Sequence, residues 1–175
     1  MSVEVDFYKQ RAQQMLANDN WLRGLQTGAL QDLERLGMPT RKTEDWKYTP
    51  VDQFLKYNFW ENVTDAVAEQ HALEVIATGR LTDVPIGIKV PLVNGAVVGL
   101  EGLQAQFPPG VIVTDISNAL LEYPDLLQKY LQQAFKHSNG MEALNTAMLK
   151  FGLFIYIPEN INVVEPILLA HTSTE

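Results

Sequence analysis

The residues able to do acid–base or metal chemistry in this 175-residue chain are few and poorly spaced for it. Glu44 and Asp45 are adjacent carboxylates, but neighbours on a helix point apart, so they do not make a general acid/base pair. Their charges suit the first turn of a helix, with Arg41 or Lys47 as an ionic contact. The three histidines, His71, His137 and His171, are scattered. Only His71 and Glu74 approach a ligand spacing, and weakly, so no metal site is expected. His171 ends an apolar strand and reads as a structural histidine. Ser117, Ser138 and Ser173 stand in cap or tail contexts, none framed as a nucleophile. No P-loop, dinucleotide fingerprint or Gly-x-Ser-x-Gly occurs. The chain has no cysteine, which excludes disulfides, thiolate nucleophiles, persulfide carriage and cysteinyl cluster ligation by its own residues. No catalytic, cofactor-binding or metal residue is therefore predicted.

The most idiosyncratic run is Arg41-Lys42-Thr43-Glu44-Asp45-Trp46-Lys47-Tyr48-Thr49-Pro50. Thr43 is placed to cap one helical turn opened by Glu44 and Asp45. Thr49 is placed to cap a second, with Pro50 at its first position and Asp52 at capping-box spacing. Trp46 and Tyr48 carry the largest apolar surfaces of the run, each with a polar handle. Core packing suits them better than ligand stacking, and the run reads as an aromatic clasp joining two subdomains.

Around that run the periodicity changes. Tyr8, Ala12, Met15 and Leu16 recur at helical spacing, and Leu22, Leu25, Ala29, Leu33 and Leu36 form a second stripe stopped by Gly37 and Pro39. Two short-looped helices predict an antiparallel hairpin, with Gly24 and Gly28 permitting close approach. Residues 64–72 suit a helix, and residues 73–76 either its end or the start of a strand. Ile88, Val90 and Leu92, then Val97 and Val98, flank Asn94-Gly95, a strong hairpin signal, and Pro91 predicts an edge or a break in the first strand. Residues 111–114 read as a strand, and Asp115 caps a helix to Leu121. Pro124 opens another helix whose inner face holds Leu126, Leu127, Tyr130, Leu131, Ala134 and Phe135. Asn139 and Glu142 are spaced as a capping box for a helix carrying Leu144, Met148 and Phe151. Residues 153–157, 161–164 and 167–170 are short apolar strands, readable as a β-solenoid coil or as a three-stranded meander.

Composition is that of a folded protein: 46% hydrophobic, 9% aromatic. A net charge of −8 argues against nonspecific nucleic-acid or anionic-membrane binding, both of which want a basic face. The acidic N-terminus has no apolar signal core, and no apolar run approaches the roughly 20 residues that span a bilayer. A soluble, cytoplasmic protein is expected.

Two runs carry a resemblance: residues 41–50, and Ala143-Leu144-Asn145-Thr146-Ala147 followed by Gly152-Leu153-Phe154-Ile155-Tyr156-Ile157-Pro158 and Val164-Glu165-Pro166-Ile167. With both in order, the chain resembles the N-terminal portion of the SufB/SufD family of iron–sulfur cluster assembly proteins. It is closer to the SufD branch than to SufB, whose N-terminal region is longer and differently built. Arg41, Glu44, Trp46, Lys47, Tyr48 and Pro50 match the first motif. Asn145, Thr146, Gly152, Phe154, Ile155, Tyr156 and Pro158 match the second, as structural rather than reactive residues. Phe151 stands where an aspartate is expected and Glu159-Asn160 where a Lys-Gly corner is expected.

The resemblance implies an α+β fold: an N-terminal helical hairpin with the aromatic linker (1–60), a mixed α/β segment (61–150) and the first strands of a right-handed β-helix (151–175). Family members continue well past Glu175, so a truncated fragment is expected, its last twenty or so residues poorly ordered or self-associating through unpaired strands. The implied function is a non-catalytic scaffold component acting with SufB and the ATPase SufC. No cofactor is expected in this segment, the iron–sulfur cluster being handled by the full complex. A freestanding adaptor without cluster assembly is the alternative, and a small hydrolase needs a pocket joining nucleophile, base and oxyanion site.

Overall fold

In the computed structural model, which describes residues 3–18, 20–56, 70, 74, 87–134 and 136–173, the chain is mixed α+β, with helices first and then strands in two small sheets. In chain order the elements are α1 (Val3–Gln14), α2 (Asn20–Leu36), a 3₁₀ turn (Glu44–Trp46), α3 (Val51–Phe54), β1 (Ile88–Val93), β2 (Ala96–Val97), α4 (Leu100–Leu103), a second 3₁₀ turn (Gln104–Gln106), β3 (Ile112–Asp115), α5 (Ile116–Glu122), α6 (Pro124–Tyr130), α7 (Gly140–Ala147), β4 (Leu153–Tyr156) and β5 (Ile167–Thr172). The readings of residues 64–72 and 73–76, and those of His71 and Phe135, fall outside the described residues. Two compact units form: Met1–Phe59 with Asp125–Lys150, and Trp60–Pro124 with Phe151–Glu175. Residues 125–150 thus return to the helices instead of joining the segment that precedes them in sequence.

In the helical unit the two predicted stripes are buried: Tyr8 and Ala12 from α1, Leu22, Ala29 and Leu33 from α2. Val5, Tyr8, Leu33, Val51, Leu55, Ala143 and Leu144 share one core. The expected antiparallel α1–α2 hairpin is present: Lys9 pairs with Glu34, Tyr8 shares a core with Leu33, and Ala12 shares one with Ala29 and Leu30. The sequence did not foretell that α2 also lies along α7. Two contacts set that second pairing. Gly140 donates its N–H to the Gly37 carbonyl at 2.8 Å, and a Cβ on Gly140 would stand 2.3 Å from that oxygen, so only glycine permits the approach. Gln26, fully buried within the α2 stripe, accepts from Ala17 N at 2.7 Å and donates to Leu149 O at 3.0 Å and Met15 O at 3.5 Å. Its amide satisfies partly buried backbone groups at the end of α1 and beyond the end of α7. Gly24 and Gly28, expected to allow close approach, lie on the exposed side of α2, where a Cβ added to either would meet nothing within 4 Å.

A polar joint completes the α2–α7 contact. Asp32 Oδ2 lies 2.9 Å from His137 Nδ1, and His137 Nε2 lies 2.9 Å from Thr146 Oγ1, which also accepts from Gln132 Nε2 at 2.8 Å. The Arg35 guanidinium, then His137, hold the Asp32 carboxyl below its ordinary range. At the start of α7, Asn139 Oδ1 caps Met141 N and Glu142 N, as its spacing predicts. The Glu142 carboxylate takes the Ser138 N–H at 2.7 Å, one residue before the reciprocal partner of a capping box, and that backbone bond is the main cause of its lowered pKa. On α6, Leu127 is buried but Tyr130 is 51% exposed, so the predicted inner face is narrower than expected.

In the second unit, Asn94 (φ +48°) and Gly95 (φ +87°) turn β1 into β2 as their dipeptide predicts. Pro91 is neither at an edge nor at a break. It lies buried in β1, the middle strand of the order β2-β1-β5. The geometry tolerates it because Ile88 N and Asn94 N donate to β5 and the residue before it, which turns the Pro91 nitrogen toward β2. Val98 N donates to Pro91 O at 3.1 Å, proline has no N–H to return, and β2 ends at Val97.

The expected run of three C-terminal strands is also corrected. Residues 161–164 form no strand, β4 pairs antiparallel with β3, and β5 pairs in parallel with β1 from Ile167 to Thr172. Among the described residues these strands make two small sheets and no coil of a right-handed β-helix, because each late strand finds an earlier one rather than its neighbour. The tail to Thr172 is therefore held on one side, and the outer edge of β5 faces no other described strand. Asp115 caps α5 through Ser117 N and Asn118 N, as predicted. Gln104 bridges Val111 O and Val113 N, both at 2.8 Å, and so occupies the side of β3 away from β4.

Gly140→Ala should destabilise the chain by about 2–3 kcal/mol through the clash with Gly37, whereas Gly24→Ala, in open space on a helix, should stabilise it by about 0.5–1 kcal/mol; denaturant midpoints read both. Asp32 and Glu142 ionise more readily folded than unfolded. Their contribution is therefore complete at neutral pH, begins to fall near the ordinary values of 3.8 and 4.5, and is lost as pH drops through the lowered folded values. Thermal melts from neutral pH into acid should show that loss, and Asp32→Asn should blunt it; an unchanged acid limb in the variant counts against the joint.

Candidate functional site

The first signature lies within the helical unit. Thr43 caps no helix with its side chain; its hydroxyl accepts the Thr40 N–H at 3.1 Å, while Trp46 N bonds back to Thr43 O at 2.9 Å. Thr49 does not cap α3 either. Pro50 is the flanking residue and buried Val51 the first helical one, a shift of one position from expectation. Trp46 is half-buried against the core of Val5, Tyr8 and Leu33. Tyr48 is 88% exposed, with the Lys47 ammonium 5.4 Å from its ring centroid. Arg41, Lys42, Glu44, Asp45 and Lys47 are also exposed, and no ion pair of the described residues joins Glu44 or Asp45 to Arg41 or Lys47. One aromatic thus anchors the turn and the other is presented to solvent among mixed charges.

The second signature is divided. Thr146 is buried on α7 in the polar joint, and Asn145 beside it is exposed. Gly152 accepts Ile116 N at 3.0 Å through its carbonyl and so aligns β4 on β3. Phe154 stacks on Tyr123 with centroids 6.4 Å apart, and Tyr156 pairs with Ile112 across the sheet. Pro158 accepts Ile161 N at 3.2 Å, closing the corner at Glu159-Asn160. Asn160 takes φ +65°, the left-handed place that glycine fills in the expected Lys-Gly corner, so the departure leaves a turn intact. Phe151, in place of the expected aspartate, is half exposed.

Asp32, His137 and Thr146 form an acid–imidazole–hydroxyl series like that of hydrolytic triads, which the spacing of the residues does not suggest. Thr146 is 1% exposed and its hydroxyl already accepts the Gln132 amide, so no substrate carbonyl can reach it. The series is a structural joint. Its only local signal is the capped start of α7 beside His137. A surface cleft of about 300 Å³ lies in the strand unit, lined by apolar Ile88, Phe107 and Val163 and by polar Gln106, Asn162 and Glu165. Those linings pair no nucleophile with a base. Among the described residues no three His, Asp or Glu side chains are placed to hold a metal ion, and His171 is exposed on β5. No helix of the described residues is long and apolar enough to cross a membrane.

Residues 4–169 match the family described as SufBD protein N-terminal region. The chain is 31% identical to the iron–sulfur cluster assembly protein SufD of Bacillus subtilis over 84% of its own length and 34% of that protein. It is 37% identical to a chloroplastic iron–sulfur cluster assembly SufBD family protein of Arabidopsis thaliana, over 50% of this chain and 15% of that one. A SufBD family protein of Synechocystis is 45% identical over 30% of this chain and 11% of its own. The chain spans about a third or less of the curated relatives it matches. The match runs through both compact units and both signatures, and the chain belongs to the SufB/SufD family, corresponding to its N-terminal region.

Proposed function

We propose that this chain is the N-terminal region of a SufD-type scaffold component of iron–sulfur cluster assembly, non-catalytic, cytoplasmic and acting with SufB and SufC. The observation that carries the reading is the alignment to Bacillus SufD along 84% of the chain. The cluster is then cargo of the whole complex, and no cofactor is assigned to this segment. The parallel, in-register pairing of β1 with β5, with the outer edge of β5 open among the described residues, supports a right-handed β-helix stacking onward from this point. The same open edge supports self-association when no further strand covers it.

A freestanding adaptor is the second reading, and the exposure of Tyr48 favours it, because a solvated aromatic among mixed charges has no packing role. A chimera separates the two. This chain, put in place of the N-terminal region of Bacillus SufD, should co-purify with SufB and SufC and support cluster formation. A folded chimera that does neither sinks the scaffold reading. Capture of SufB or SufC by the 175-residue chain alone supports the adaptor.

Trp46→Ala should lower stability by about 1–3 kcal/mol, less than a fully buried tryptophan would. Tyr48→Ala should shift it by no more than about 0.5 kcal/mol while weakening partner capture in the same pull-down. A large drop in melting temperature for Tyr48→Ala would instead make that residue part of the core.

A further inference from the structure

The His137 side chain is 9% exposed and has a partner at each ring nitrogen. A carboxylate accepts and does not donate, so Asp32 requires the proton on Nδ1, and the neutral ring presents Nε2 as an acceptor. The Thr146 hydroxyl then points its hydrogen at Nε2 while its oxygen accepts from the Gln132 amide. A second acceptor is in reach of the same hydroxyl: the Glu142 carbonyl oxygen, 3.3 Å away. When the ring gains a proton, Nε2 becomes a donor and the threonine hydrogen must leave. The Glu142 carbonyl receives it, and Thr146 Oγ1 accepts from both Nε2–H and the Gln132 amide. Every polar atom keeps a partner in either state.

We infer that Thr146 is a rotating hydroxyl relay that lets the α2–α7 joint take up a proton at His137 without opening. Charged groups facing the ring include Asp32, itself held by Arg35, from α2, and Glu142 from α7; the segment after α6 contributes the neutral Gln132 amide. Hydrogen bonds from Arg35 and Ser138 hold the two carboxyls below their ordinary values. They therefore stay ionised from neutral pH down to mildly acidic pH.

The test compares Thr146→Val, which keeps the volume and loses the hydroxyl, with Thr146→Ser, which keeps the relay. Denaturant unfolding of the 175-residue chain is measured at pH 8 and pH 5.5. The valine variant should be less stable at both, and its deficit in unfolding equilibrium constant should be roughly tenfold larger at pH 5.5, where a charged donor is left unpaired. The serine variant should track the parent at both. Equal valine deficits at the two pH values overturn the relay. Should Thr146→Val fail to fold, ¹⁵N spectra of the parent's imidazole decide: the Nδ1–H tautomer at pH 8 is expected, and the Nε2–H tautomer overturns the inference.

Discussion

A carbonyl-to-Cα approach that admits no side chain sets the geometry of the helical unit. Gly140 N meets Gly37 O, which lays the start of α7 against the end of α2 and leaves the stripe of Leu33 and Ala29 facing Ala143, Leu144 and Ala147. Small residues on α7 follow from that closeness, since larger ones would push the axes apart. Once the axes are fixed, Gln26, Asp32 and His137 fall opposite backbone and side-chain groups they can satisfy. The buried polar atoms of this contact are a consequence of the glycine approach, and they add direction to what apolar burial alone would leave free to slide.

The strand unit obeys a different constraint, the direction in which each backbone amide points. β1 gives its even-numbered amides to the β5 side and its odd-numbered ones to β2, and proline occupies an odd position where the missing donor ends the shorter partner. The side of β3 away from β4 is met by the Gln104 amide. Besides the two-residue β2, the extendable edges of the described strands therefore lie on β4 and β5, the two elements nearest the C-terminus.

What can be read from the sequence is local chemistry. Asp115, Asn139 and the Asn94-Gly95 turn do what their types predict, because a cap or a two-residue turn is decided within a few residues. The two signatures are legible as family marks, and their roles are not. Tyr48 has the surface of a core residue yet faces solvent, while Thr146 has the type of a surface residue yet lies buried between helices. Gln26, Pro91 and His137 escape a reading of the sequence for one reason: their partners are remote along the chain, and periodicity is silent about which face meets which. The stripes of α1 and α2 mark each other as partners correctly, and are silent on the α7 that α2 also meets on the same account.

The partnership of β1 with β5 also has a kinetic side. Ile88 to Val93 are made early, and the strand that covers one side of them spans the last residues described, separated by the whole of β2 through β4. During synthesis an apolar strand with half of its amides unmet must wait for that late arrival.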